Sequence, residues 1–140
     1  MKEFGLQLWS IRDYFTTEEN TRESFKKMSE MGYTSAQTAG TYPYISPEKF
    51  AEYAKEYGIE LFSTHYDFGK MKTDVEGTVK YHKTIGAKYI GIGGMGGKVM
   101  SKDELFKFID EINELARIYS EYGLKFTYHN SIIIKTKHKG

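Results

Sequence analysis

One unit recurs along this chain: a helix with an apolar stripe, then a glycine, then a short apolar strand. The strand Phe4-Gly5-Leu6-Gln7-Leu8 opens the series. A helical pattern with Phe25, Met28 and Met31 on one face ends at Gly32, and the strand Ser35 to Thr38 follows. Ser46-Pro47 starts the next helix, with serine as cap and proline at the tolerated first position. Phe50, Tyr53, Ala54 and Tyr57 form its buried side, and Gly58 stops it. The strand Glu60 to Thr64 comes next, then a helix opened by the capping-box spacing of Thr73 and Glu76 and closed by Gly86. Lys88 to Ile92 reads as the fourth strand. Ser101 and Glu104 repeat the capping box before the longest helix, whose stripe is Leu105, Phe108, Ile109, Ile112, Leu115, Ala116 and Tyr119. Gly123 closes that helix, and Leu124 to His129 is the fifth strand.

Each closing glycine supplies the left-handed residue with which a helix turns back toward a sheet. Alternation of strand and helix predicts an α/β protein with a parallel sheet and right-handed crossovers. Short apolar strands fit a sheet covered on both faces. A doubly wound open sheet and a barrel both satisfy this order.

Composition narrows the function. The 140 residues suffice for one domain, and 39% hydrophobic with 28% charged residues is ordinary for a globular chain. A net charge of +1 offers no broad electrostatic attraction for nucleic acid or a membrane, which points to a small-molecule ligand. Cysteine is absent, so disulfides, thiolate metal sites and cysteine nucleophiles are excluded. The apolar stretch after Met1 is too short for a signal peptide, and no apolar run approaches a membrane span. The expectation is a cytoplasmic protein.

Four phrases stand at strand ends: Leu6-Gln7-Leu8-Trp9-Ser10-Ile11-Arg12-Asp13, Gln37-Thr38-Ala39-Gly40, Ser63-Thr64-His65-Tyr66 and Tyr128-His129-Asn130. Together with Gly86-Ala87-Lys88-Tyr89-Ile90-Gly91 they resemble the sugar phosphate isomerase/epimerase family, whose members have the xylose isomerase-like barrel. The resemblance covers residues 2–130 and implies a partial (β/α)₈ barrel, about four βα units plus a fifth parallel strand. Complete barrels of this kind run to roughly 250 residues. The resemblance therefore implies that three strands with their helices are missing, and that residues 131–140 form a divergent tail. A truncated gene product is one expectation. Open first and fifth strand edges lead to another, a chain that is oligomeric or prone to aggregate.

Active sites of such barrels lie at the C-terminal ends of the strands. The resemblance thus implies catalytic roles for His65 and His129, with Trp9, Arg12, Gln37 and Asn130 as substrate-binding residues. An imidazole can hold a sugar hydroxyl or carry a proton near neutral pH, although a histidine can also simply bond a backbone carbonyl. Arg12 suits a bidentate phosphate clamp, or is a surface arginine. Trp9 can stack on a sugar ring or serve as packing. His82, inside the third helix, reads as part of a solvated face, and His138 has no evident partner.

His129 also occupies the position where metal-bearing relatives place a ligand. Those relatives follow Tyr-His-Asn with a second histidine and then a glutamate, whereas this chain has Ser131 and Ile132-Ile133-Ile134. A divalent metal (Mn, Zn or Mg) is accordingly expected in full-length relatives, with none expected on this chain. Gly91-Ile92-Gly93-Gly94-Met95-Gly96 matches a dinucleotide-binding spacing, but it follows the fourth strand and its helix starts only near Lys102, so it reads as a loop at the barrel mouth.

Three functions follow as expectations. The first is isomerisation or epimerisation of a sugar or sugar phosphate by metal-assisted proton transfer, with the chain alone inactive. The second is a non-catalytic half-barrel that self-assembles. The third is DNA repair in the manner of the apurinic endonucleases, which share this fold; the near-neutral charge opposes it.

Overall fold

The computed structural model describes residues 4–94 and 100–129. Strand β1 (Gly5–Gln7) runs into two short 3₁₀ turns (Leu8–Tyr14) that meet at a kink at Ile11. Then come α1 (Glu18–Glu30), β2 (Ser35–Ala39), α2 (Pro47–Glu56), β3 (Glu60–His65), α3 (Phe68–Thr73), α4 (Val75–Ile85), β4 (Tyr89–Ile92), α5 (Lys102–Glu121) and β5 (Lys125–Tyr128). The five strands are all parallel and lie in the order β1-β2-β3-β4-β5.

That order separates the two architectures the sequence allowed. A doubly wound sheet reverses its strand order at a switch point. Here every crossover steps one place in the same direction. With right-handed connections this puts the helices on one face and curls the sheet as in a barrel.

The local signals explain the elements. Ser46 and Ser101 cap α2 and α5 through their hydroxyls, and Glu104 completes the capping box at Ser101. Gly32, Gly58, Gly86 and Gly123 all adopt positive φ where the chain leaves a helix. Under α1, α2 and the first three strands lies a core of Leu8, Phe25, Met28, Ala36, Phe50 and Leu61. A second cluster beneath α4 and α5 contains Met71, Val79, Ile90, Ile92, Phe108, Leu115 and Tyr119.

The opposite sheet face differs from the expectation of apolar strands. Along β2 the burial alternates, with Ala36 and Thr38 buried and Ser35, Gln37 and Ala39 half-buried. Gln37 donates across to Ser63 Oγ on β3 at 3.0 Å, and Thr127 faces Gly91 from β5. A register shift after Ala36, which brings Gln37 opposite Ser63, lets these two meet.

Several expectations are corrected. The third helix is not capped by Thr73: Asp74 accepts the Gly77 N–H at 2.9 Å, while the Thr73 hydroxyl bonds Gly69 O and finishes the extra helix α3. Met31 is exposed, because α1 ends at Glu30 and Met31 already belongs to the turn. Leu105 and Ile109 in the α5 stripe are also exposed, since only Phe108, Leu115 and Tyr119 are buried there. His82 is not on a solvated face. It is wholly buried, because α4 turns it inward onto β3.

Candidate functional site

Parallel strands bring their C-terminal ends to one side, and the candidate residues sit there. His65 is the last residue of β3, and its carbonyl accepts the Gly40 N–H at 2.7 Å. His129 directly follows β5, held by its own N–H to Ile92 O at 3.1 Å. The two imidazoles meet edge to face, with ring centroids 5.1 Å apart. Gly93 packs beside the pair, where a Cβ would make an ordinary contact 3.5 Å from His65 Nδ1.

His65 is half-buried, and its Nε2 is enclosed without a hydrogen-bond partner among the described residues. Burial, and secondarily the neighbouring His129, push its pKa below the usual histidine value. The imidazole is therefore neutral at pH 7, with a lone pair to accept a proton or a sugar hydroxyl.

Both histidines line an open cavity of about 650 Å³ that also touches Gln7, Trp9, Gly40, Thr41, Tyr66, Asp67, Lys70 and Gly93. This is the size range of small-molecule sites, about 300–1,000 Å³. Trp9 stands on the 3₁₀ turn after β1 and is 57% exposed, which leaves ring surface for a ligand. Arg12 turns away from the cavity. Its guanidinium stacks over the Trp9 ring at 4.6 Å and donates to Trp9 O at 2.9 Å. Gln37 lies on the inner sheet face, in an adjoining hollow of about 270 Å³ that shares His65 and His129 with the cavity. Asn130 and the tail 131–140 fall outside the described residues.

Sequence reasoning passed over Asp67 and Lys70. Asp67 caps α3 by accepting the Lys70 N–H at 2.6 Å, and both residues line the cavity. The signal was present as an aspartate three residues before the third helical position, Lys70, but a helix of only 6 residues leaves no apolar period to find.

Among the described residues no group of three or more His, Asp or Glu side chains is placed to hold an ion. Two imidazoles face each other without a third His, Asp or Glu donor among the described residues, and metal sites use three or more protein ligands as a rule. The described residues do not make a complete metal site.

No family model matches the chain, and no curated protein matches it. Solved structures do. A sugar phosphate isomerase/epimerase from Parabacteroides distasonis superposes with a TM-score of 0.76 at 17% identity, covering 92% of this chain and 51% of that one. A D-allulose 3-epimerase from Methylomonas sp., solved in complex with D-allulose, gives 0.66 at 11% identity, with 90% and 50% covered. An AP endonuclease of family 2 from Brucella melitensis gives 0.63 at 14%, with 91% and 55% covered. A zinc-bound IOLI protein matches at 0.62 and 18%, again over 51% of its length. The chain spans about half the length of the proteins it resembles. Five parallel strands in sequential order, wrapped by helices on one face, give it the fold of half a xylose isomerase-like (β/α)₈ barrel.

Proposed function

We propose that the chain forms a sugar or sugar phosphate site at the C-terminal mouth of its strands, within a protein that isomerises or epimerises that sugar. The observation that carries this reading is the His65–His129 pair, edge to face, with burial holding the His65 pKa below the usual histidine value, beside the exposed ring of Trp9. Isomerisation needs a group that removes a proton beside a carbonyl and a group that returns it. His65 suits the first task, since its lone pair is unengaged among the described residues. His129, with its ring centroid 5.1 Å from that of His65, faces the same ligand space and can take the second task. Trp9 offers a face for the C–H side of a sugar ring. The allulose-bound epimerase of similar fold supports the ligand class. No step is assigned to a metal, because the described donors do not complete a site for one.

Titration calorimetry of the chain with a panel of ketoses, aldoses and their phosphates tests this. Binding that weakens at least tenfold in both His65→Gln and His129→Gln is expected. Binding indifferent to both substitutions would end the proposal.

A second reading is favoured by the sheet itself, in which β1 and β5 each lack a neighbour on one side among the described residues. On this reading the chain is a non-catalytic half-barrel that pairs with another copy of itself. DNA repair receives less support, since a net charge of +1 supplies no basic face for a phosphate backbone. Salt-dependent DNA binding by the chain would revive it.

A further inference from the structure

Arg12 grips Trp9 at two points. Its guanidinium lies over the indole with Cζ 4.6 Å from the ring centroid, and its Nη1 donates to Trp9 O at 2.9 Å. Arg12 forms no ion pair among the described residues, so its cation is given to the ring rather than to a carboxylate. The backbone on either side is tied to the core. Leu8, just before Trp9, is wholly buried. Arg12 O accepts the Phe15 N–H at 3.0 Å, and the buried Phe15 packs edge to face on Phe25 with centroids 5.4 Å apart.

An exposed indole that rotates freely surrenders that freedom when a ligand settles on it, which weakens binding. A planar guanidinium fixed over one face, and bonded to the same residue's carbonyl, restricts the ring before any ligand arrives. The rest of the ring stays open, since Trp9 is exposed and lines the mouth cavity of about 650 Å³. Arg12 is not among the described residues that line this cavity. The cation therefore stands behind the ring and not beside the ligand.

We propose that Arg12 is a positioning residue, which holds the Trp9 ring as a preset platform at the mouth and does not itself touch the ligand. The proposal rests on the sugar reading above for what settles on that platform. A phosphate ester gains nothing from Arg12 on this assignment, because the guanidinium serves the ring alone. A cation–π contact at an exposed site is worth about two- to fivefold in an equilibrium constant, and that is the scale of the effect.

Trp9 is the single tryptophan of the 140-residue chain, so tryptophan fluorescence reports this ring alone. Time-resolved anisotropy follows its local motion. Titration calorimetry follows binding of the ketoses and aldoses named above, each free and as its phosphate ester. Arg12 is exposed, so substitutions there do not reach the core. Arg12→Ala is expected to speed the ring's motion and to weaken free sugar and phosphate ester by the same factor, about two- to fivefold. Arg12→Lys keeps the cation but loses the planar fork, and should fall between the two. A loss confined to the phosphate esters makes Arg12 a phosphate contact and overturns the proposal. Ring motion unchanged in Arg12→Ala overturns it as well, as does faster motion with affinity unchanged. Faster motion in Arg12→Ala, with no sugar bound even by the unsubstituted chain, upholds the hold of Arg12 on Trp9 and removes the sugar reading instead.

Discussion

Thr64 Oγ1 lies 2.8 Å from His82 Nε2, and both residues are wholly buried. On the other side of the ring, Nδ1 is 2.7 Å from Thr78 O. A carbonyl only accepts, so Nδ1 carries the proton and Nε2 accepts from the Thr64 hydroxyl. This bond ties α4 to β3 one residue before His65. Replacing His82 with Ala leaves a cavity and an unpaired Thr64 hydroxyl, and is expected to cost about 2–4 kcal/mol. Urea denaturation measures that loss. It should be accompanied by weakened sugar binding, because the end of β3 loosens.

Acid should destabilise the fold through the same residue. Burial lowers the pKa of His82, and burial with His129 lowers that of His65. Unfolded imidazoles take up protons near about pH 6.5, whereas the folded ones resist to lower pH. The unfolded state then binds more protons, so stability falls as pH drops through and below that value. Urea midpoints at pH 7.5 and 5.5 should differ accordingly, and His82→Gln should shrink the difference. The lowered carboxylate pKa values of Glu56 and Glu114 act only in a more acidic range.

Gly91 should tolerate no side chain. A Cβ on it would lie 2.7 Å from Thr64 O and 2.6 Å from Thr127 Oγ1. The first obstacle is backbone of a paired strand and has no easy escape. Gly91→Ala is expected to lose about 1–3 kcal/mol by overpacking. An unchanged thermal midpoint would mean that β3 and β5 yield from β4 more readily than their pairing with it implies.

Self-association of the 140-residue chain is expected. Among the described residues β1 and β5 are sheet edges, and Leu105, Phe106 and Ile109 are exposed along α5. Light scattering should find dimers or larger species, and the double change Phe106→Glu with Ile109→Lys should lower their average mass. A monodisperse monomer across the micromolar range contradicts the prediction.

The repeating unit was legible in the residues because its signals are local. Ser46, Ser101 and the four helix-ending glycines act within a turn of their own helix, and the structure uses them as read. Thr73 was misread because Asp74, the adjacent residue, caps equally well, and spacing does not rank two neighbouring caps. The short elements at Leu8–Tyr14 and Phe68–Thr73 escaped notice because neither is long enough to show a period. Strand order is a different kind of information. Which strands pair depends on contacts between distant parts of the chain, so barrel and open sheet share one local pattern until the order β1-β2-β3-β4-β5 is seen.

The candidate site divides along the same line. His65 and His129 stood out as polar residues at strand ends, and parallel pairing through β4 brings them to 5.1 Å. Lys70 and Asp67 join them only because α3 folds over the mouth. Periodicity names a helix face but not what that face meets. His82 was assigned to solvent yet is sealed against Thr64, while Leu105 and Ile109 were assigned to the core yet remain exposed. Burial is a property of the packed pair, and a one-dimensional pattern carries only one member of it.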